Sequence, residues 1–321
     1  MRLDAERRDF VRYFDLHCDT MTECYVKGKH IDKNDLHIDC QRAAVFDSYV
    51  QCYAVWMPDS VCGEAAFSRF KQVSNRFSEE VRSNEQTMVQ CRDPGDLARN
   101  EGKHCAVLSV ENAAALGGKL ENIVEFARLG VKLCSLTWNG ENELGRGVRA
   151  SGDGGITPFG RQVVNELENN HIVVDLSHAS PELFYDVVSM ARRPVAATHS
   201  NAKSVCKSAR NLSDEQFNII RSSGGLVGLN LYKGFLNDDP DKASLYDVLR
   251  HAEHFLSLGG EDILAVGADW DGSEKKDFVS SGLEGVPELY ELFLRHNYPE
   301  TLADKIFYKN AADFFKNEDL L

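Results

Sequence analysis

Short runs of β-branched and other apolar residues recur along the whole chain, and stretches with a helical pattern separate them. Each run is bounded by polar residues or glycine, as is typical of strands in a parallel sheet. The intervening stretches repeat apolar residues with a period of 3.6, which predicts amphipathic helices. Because the alternation continues evenly along the chain, it favours a (β/α)8 TIM barrel over an open, doubly wound sheet.

The predicted strands cover residues 13–19, 49–57, 105–111, 131–137, 172–178, 195–199, 226–232 and 263–269. The predicted helices cover residues 65–82, 120–129, 159–169, 181–190, 214–222, 245–258, 286–295 and 301–315. No linker divides the 321 residues, so we expect residues 1–321 to form a single barrel domain. The long stretch 20–47 is predicted to be a loop inserted near the active face.

The charge and cysteine content of the chain exclude several classes of protein. A formal net charge of −14 without a basic stripe disfavours nucleic acid and anionic lipid as partners, and favours a small substrate or a metal cation. The nine cysteines are scattered without C-x-x-C spacing, which disfavours a zinc ribbon or a disulfide scaffold. The first residues are charged and no apolar run spans a bilayer, so we expect a cytoplasmic protein.

Polar residues are concentrated where the predicted strands end. Catalytic groups of TIM barrels come from these ends and the loops that follow them. On the first strand, the period of two predicts that Asp15, His17 and Asp19 share one face. Imidazole and carboxylate groups are ligands that zinc accepts, and one carboxylate can bridge two ions. The candidate residues at these strand ends are His17, Asp19, Glu111, His178, His199 and Asp269.

Other polar residues near these positions are assigned different roles. Cys18 is expected on the opposite strand face, where packing is its expected role. Asp271 is an alternative to Asp269, but Asp271 more plausibly fixes the turn with Gly272. The pair His251 and His254 has i, i+3 spacing, which differs from the zinc-protease motif.

Eight short motifs, spread over nearly the whole chain, resemble those of the membrane dipeptidase (renal dipeptidase) family in family order. That family consists of zinc metallopeptidases of the amidohydrolase type. The motifs are Asp15-Leu16-His17-Cys18-Asp19, Ser109-Val110-Glu111, Ile156-Thr157-Pro158-Phe159-Gly160, Asp175-Leu176-Ser177-His178, Thr198-His199-Ser200, Ser208-Ala209-Arg210-Asn211-Leu212, Gly267-Ala268-Asp269-Trp270-Asp271-Gly272 and Glu284-Gly285-Val286.

The resemblance implies an amidohydrolase-like barrel and a site with two zinc ions per chain. One zinc would be held by His17 and Asp19, the other by His178 and His199, and Glu111 would bridge them. It implies a zinc-dependent dipeptidase, which hydrolyses the peptide bond of a small dipeptide. Hydroxide bridging two cations is a reasonable nucleophile, because cations acidify bound water.

The resemblance also implies roles for residues that contact the substrate. Arg210 would receive the substrate carboxylate and Asp269 would handle protons. A guanidinium binds a carboxylate bidentately, and this would select substrates that end one residue beyond the scissile bond. Tyr232 ends the seventh strand and is a further substrate-binding candidate, although packing is an equally good interpretation.

The sequence differs from the animal members of the family in two respects, and it leaves two alternative functions open. Trp138 stands where those members carry a histidine, and we expect neither their secretion signal nor their lipid anchor here. An amidohydrolase acting on an N-acyl amino acid, lactone or lactam would need a similar site. A metal-binding protein without activity would need neither Arg210 nor Asp269. A homodimer is compatible with the sequence.

Overall fold

The computed structural model describes residues 12–321, and its parallel strands close into a barrel. β1 pairs with β2 on one side and with β9 on the other, and β2 pairs with β4, so eight strands form a closed ring. β3 pairs only with the beginning of β4 and lies outside this ring. The strands are β1 Arg12–Cys18, β2 Ser48–Trp56, β3 Met88–Gln90, β4 His104–Glu111, β5 Val131–Ser135, β6 Val173–Asp175, β7 Ala196–Ala197, β8 Leu226–Leu229 and β9 Leu264–Val266.

Helices follow most of the strands and cover the outside of the barrel. They are α1 Thr20–Lys27, α2 Cys40–Ala43, α3 Gly63–Ser83, α4 Asp96–Arg99, α5 Ile123–Leu129, α6 Pro158–Asn169, α7 Pro181–Val188, α8 Asp214–Ser222, α9 Lys233–Leu236, α10 Leu245–Ser257, α11 Val286–Arg295, α12 Glu300–Asp304 and α13 Asn310–Asn317. One π-helical turn, Lys305–Lys309, joins α12 to α13. No helix within residues 12–321 is both long and apolar enough to cross a membrane.

The amidohydrolase-like (β/α)8 barrel predicted from the sequence is confirmed, and each predicted strand overlaps an observed one. The single-domain prediction also covers residues 1–11, which lie outside the described part of the chain. The predicted loop at 20–47 is wrong for Thr20–Lys27, which form α1, and for Cys40–Ala43, which form the short helix α2. No side-chain hydrogen bond from Asp19 caps α1, so the usual start signal is missing.

The barrel has an apolar end and a polar end. Phe14 and Leu16 of β1 belong to an apolar cluster with the buried residues Phe315 and Leu321 at the end of the chain. The other members of this cluster lie near the beginnings of the strands, so the segment around α13 covers the amino-terminal end of the barrel. The opposite end, where the strands finish, is left for polar groups.

The prediction that Asp15, His17 and Asp19 share one face is wrong for Asp15. The pairing of β1 with β2 shifts register between Asp15 and Cys18, which interrupts the simple alternation. Asp15 accepts hydrogen bonds from the backbone amides of His17 (3.1 Å) and Ala268 (3.0 Å), and so joins the ends of β1 and β9. Cys18 is fully buried in the outer apolar core, as expected.

Candidate metal centre and cavity

Glu111 lies at the centre of the six candidate residues, which meet at the carboxyl ends of the strands. Its Oε2 is 3.5 Å from His17 Nε2. Its Oε1 is 2.9 Å from His178 Nε2 and 3.8 Å from His199 Nε2. His17 Nε2 is also 3.9 Å from Asp19 Oδ2. The two oxygens of one carboxylate therefore face two different groups of nitrogen and oxygen ligands.

Among residues 12–321, three sets of three ligand atoms are each close enough to surround one ion, and two of these sets include Glu111. His17, Asp19 and Glu111 form one set, and Glu111, His178 and His199 form the other, with all atoms of a set within 4.8 Å. Glu111 belongs to both sets. All five side chains are buried. These sets match the division into two ions with a shared carboxylate that the family resemblance implies.

The repulsion between two carboxylates and the neutral state of two imidazoles favour a bound cation. Burial and the charge of Glu111 raise the pKa of Asp19, so the two carboxylates repel each other. Burial and the neighbouring His17 lower the pKa of His199, and burial and Arg210 lower the pKa of His178. These two imidazoles are therefore neutral at physiological pH. Divalent cations would offset the repulsion between the carboxylates and use the neutral imidazoles as ligands.

Unpaired polar atoms give an independent indication that cations fit here. His17 Nε2 and Asp19 Oδ1 are buried and make no hydrogen bond within residues 12–321. His178 Nε2 and His199 Nε2 face each other at 3.0 Å, although neutral imidazoles with both lone pairs turned inward repel. Buried polar atoms of this kind need partners, and divalent ions with nitrogen and oxygen preference would supply them.

Asp269 follows β9 and lies beside the same centre. Its Oδ1 is 3.8 Å from His17 Nε2, and its Oδ2 accepts a hydrogen bond of 2.9 Å from the side chain of Asn230. Burial raises the pKa of Asp269. Asp269 also forms a third compact group with His17 and His199, so a ligand role is open to it geometrically.

Arg210 is buried beside the backbone of His199. Its Nη2 is 3.4 Å from the His199 carbonyl oxygen, and its guanidinium lies over the ring of Phe235 at 5.2 Å. No carboxylate lies within 4.0 Å of it in the described residues, and its Nε has no hydrogen-bond partner there. Burial lowers the pKa of Arg210 to about 10, so it remains charged at neutral pH. A buried, unpaired guanidinium is a favourable site for a substrate carboxylate.

Tyr232 and Asp271 are the two residues for which the sequence allowed more than one role. Tyr232 lines the cavity and packs edge-on against Phe278, so both interpretations of this residue stay compatible with its position. Asp271 contacts His37 Nδ1 at 2.7 Å and accepts a hydrogen bond from the Thr20 hydroxyl, so it ties the inserted segment to the turn after β9.

Two asparagines that the sequence analysis did not select orient candidate site residues. Asn139 Oδ1 is 3.1 Å from His178 Nδ1, which leaves Nε2 facing Glu111. Asn230 donates to Asp269. Trp138, which stands where animal family members carry a histidine, lies next to Asn139. A single asparagine in a loop has no periodicity or motif spacing by which the sequence could identify its contact with His178.

A cavity of about 450 Å³ opens above the metal centre. This volume suits a small ligand. Aromatic residues form part of its wall, and charged residues from several loops form its rim. The lining residues are Asp19, Glu23, Lys27, Trp56, Glu111, Trp138, Asn139, Arg149, His178, Tyr232, Phe235, Asp269, Asp271, Gly272, Ser273 and Glu274.

Comparison with known proteins finds relatives over nearly the whole chain. The family model described as membrane dipeptidase (peptidase family M19) matches residues 8–320. A metallopeptidase from Rhodobacter sphaeroides, solved with a phosphinate mimic of the dipeptide L-Ala-D-Ala, has a TM-score of 0.89 at 25% identity; the alignment covers 98% of this chain and 100% of that one.

Two further proteins extend the comparison. An uncharacterised protein encoded in the pqqA 5′ region of Klebsiella pneumoniae is 32% identical over 238 residues, which are 71% of this chain and 88% of that protein. An amidohydrolase from Pseudomonas aeruginosa shares the fold with a TM-score of 0.77 at 21% identity, covering 87% of this chain and 91% of that one.

Proposed function

Because the chain belongs to the membrane dipeptidase family, peptidase family M19, and is a metallo-dipeptidase, we propose that it uses two zinc ions to hydrolyse free dipeptides. The observation that carries the proposal is the position of Glu111. Its two carboxylate oxygens face separate ligand sets at 3.5 Å and 2.9 Å. In the proposal His17 and Asp19 hold one ion, His178 and His199 hold the other, and Glu111 bridges them.

When bound, the zinc ions would acidify the attacking water and polarise the scissile carbonyl group. The protein residues would orient the substrate and move protons. Asp269 is within 3.8 Å of His17 Nε2, and Asn230 holds one of its oxygens, which leaves Oδ1 directed at the centre. We assign Asp269 as the group that takes a proton from the attacking water and delivers it to the leaving amine.

Arg210 would select for substrate length. Its guanidinium is buried, unpaired within the described residues and fixed over Phe235, next to the carbonyl of His199. In this proposal a free carboxylate one residue beyond the scissile bond binds the guanidinium while the scissile carbonyl group lies at the metal centre. A longer peptide would place an uncharged amide there and leave the guanidinium without its counterion.

Metal analysis tests the zinc assignment. Protein purified without chelator should contain about two divalent ions per chain, and removal of the ions should abolish dipeptide hydrolysis. The Glu111→Gln variant should lose ions from both sites, because it removes the charge that they share. Saturation at one ion, or near-native metal content and rate in Glu111→Gln, would contradict the bridged pair.

Substrate comparison tests the dipeptidase assignment. The native enzyme should cleave free dipeptides, with L-Ala-D-Ala and L-Ala-L-Ala both assayed, at least 10²-fold faster in kcat/KM than the matching dipeptide amides. Arg210→Met, which keeps much of the side chain's packing, should reduce this ratio toward one by losing a charge-assisted contact of about 3 kcal/mol. Equal cleavage of amides or N-acyl amino acids by the native enzyme would favour a different amidohydrolase.

A further inference from the structure

A tight turn holds Arg149 at the rim of the cavity. Ala150 N donates to Gly147 O at 3.0 Å, which closes the turn. Val148 N donates to His178 O (2.7 Å) and Arg149 N donates to Asn139 O (2.9 Å), so the backbone of the turn is bonded to residues following β5 and β6. A Cβ atom on Gly147 would lie 2.0 Å from the Trp138 carbonyl oxygen, so this close approach requires glycine.

Most of the other charges at the cavity rim already have partners. Glu23 forms an ion pair with Lys27, and Glu274 forms one with Lys276 at 2.8 Å. The carboxylate of Asp271 forms hydrogen bonds with the Thr20 hydroxyl and the His37 ring. In contrast, the exposed guanidinium of Arg149 has no carboxylate within 4.0 Å among residues 12–321.

The cavity and the smaller recess beside it therefore contain two guanidinium groups without a protein counterion among residues 12–321, Arg149 in the cavity and Arg210 in the recess. The three carboxylates at the floor, Asp19, Glu111 and Asp269, face the candidate metal centre. A simple dipeptide brings one α-carboxylate, and in the proposed function Arg210 binds it. One positive charge is then left unmatched, and a second carboxylate on the substrate would match it.

Each of the two arginines lines a space that His178 also lines. His178 lines the main cavity together with Arg149, and it also lines a smaller recess together with Arg210. Burial is the main cause of the lowered pKa of Arg210, and the charge of Arg149 contributes to it. Lys27, the other rim cation, belongs to α1 and is already paired.

From this arrangement we infer that the enzyme prefers dipeptides whose carboxyl-terminal residue is acidic, with Arg149 binding the side-chain carboxylate while Arg210 binds the α-carboxylate. The inference rests on the proposed function. It names the substrate class as dipeptides that end in aspartate or glutamate. It also assigns Arg149 as a specificity determinant that contacts substrate without taking part in bond cleavage.

The test compares dipeptides that differ only in charge. The metal-loaded native enzyme is assayed with Ala-Asp and Ala-Asn, and with Ala-Glu and Ala-Gln, each with L and D carboxyl-terminal residues. We expect kcat/KM to favour the acidic member roughly fivefold, as for a partly exposed ion pair worth about 1 kcal/mol. The preference should lie mainly in KM and should shrink as salt is raised.

Two variants of Arg149 and one matched control complete the test. Arg149→Gln should bring the acidic-to-amide ratio to about one, with most of the loss in kcat/KM on the acidic member of each pair. Arg149→Glu should reverse the preference, so that Ala-Lys becomes a better substrate than Ala-Asp. Lys27→Met, which removes the paired rim cation, should keep the native ratio.

The assays distinguish the role of Arg149 from dipeptidase activity itself. Hydrolysis of dipeptides without acidic preference, or an equal loss of preference in Lys27→Met, would overturn the role of Arg149 and leave the dipeptidase intact. Failure of the metal-loaded enzyme to cleave any dipeptide in the panel would overturn both.

Discussion

At the residue scale, the groups nearest the metal centre are oriented by neutral amides. Asn139 contacts Nδ1 of His178, and Asn230 donates to Asp269. An amide oxygen on Nδ1 fixes the tautomer that presents a basic Nε2, and such outer contacts also hold a ligand ring in position. Asn139 is therefore a positioning residue for one of the two proposed ions.

Replacement of Asn139 should weaken metal binding. We expect Asn139→Leu to reduce zinc affinity at the site containing His178 by about 10-fold to 100-fold, because the ring loses its acceptor. Asn139→Asp keeps an acceptor and should retain native affinity. Competition with a chelator of known affinity measures both variants, and equal affinity of Asn139→Leu and the native protein would contradict the positioning role.

Asp269→Asn should separate proton transfer from metal binding. The variant keeps the size of the side chain but cannot accept a proton, so kcat should fall by about 10²-fold to 10⁴-fold while two ions stay bound. Measurement of kcat and of metal content on the same preparation tests this prediction. Loss of an ion would identify Asp269 as a ligand, in line with the compact group that it forms with His17 and His199.

The candidate ligands could be predicted from the sequence because chain direction and strand polarity place every strand end at one rim. The contacts of Asn139 and the exposed Arg149 could not. The positions of Asn139 and Arg149 depend on how the loop after β5 folds back on His178. The local sequence of a loop does not indicate which distant residue it will contact.

At the element scale, the ends of β1 and β9 are bonded together directly below the site. Asp15 accepts hydrogen bonds from the amides of His17 and Ala268. The following turn returns close to the carboxylates, since a Cβ atom on Gly272 would lie 2.5 Å from Asp269 Oδ1 and 3.1 Å from Asp19 Oδ2. The sequence predicted both strands, but the register irregularity that separates Asp15 from His17 depends on pairing with β2.

The contact between α10 and the segment that carries Arg210 should make stability depend on pH. His251 Nδ1 accepts from the amide of Ala202 (3.1 Å) and Nε2 donates to the carbonyl oxygen of Leu236 (3.0 Å), so the buried ring is neutral. Burial lowers the pKa of His251 from 6.5 to about 4. The unfolded chain therefore binds a proton more readily than the folded chain between these pH values.

Stability from this group is complete above pH 6.5 and is lost as the pH falls toward 4. The loss at pH 5 should be about 2 kcal/mol. His251→Gln has no titrating group, so its free energy of unfolding should fall less steeply with acidification. Urea denaturation at several pH values measures the slopes, and equal slopes would contradict the assignment.

At the scale of the whole molecule, the end that supplies stability and the end that supplies chemistry are separated along the barrel axis. Phe315 is fully buried against Phe14 at the apolar end, with ring centroids 5.1 Å apart. The strand–helix repeat predicted the barrel, whereas its closure by the last helix and the missing cap on α1 required the folded structure. The periodic pattern records which face of an element is apolar, not which element covers it.

Shortening a side chain at the apolar end of the barrel should lower the stability of the fold without changing catalysis. Phe315→Ala should lower the free energy of unfolding by about 3–5 kcal/mol, because it removes a buried ring and leaves a cavity. Metal content and kcat should stay native in the folded fraction. A change in kcat at full metal content would show that the two ends are coupled.

The closure between β1 and β9 also has a consequence for synthesis. His17 belongs to the first strand of the ring and Asp269 follows the last, so about 250 residues must be made before these groups can meet. A nascent chain carries His17 and Asp19 long before it carries His199 or Asp269. The proposed centre cannot assemble until the ribosome has delivered the last strand and Asp269, so hydrolytic activity should report that all eight strands of the ring are present and closed.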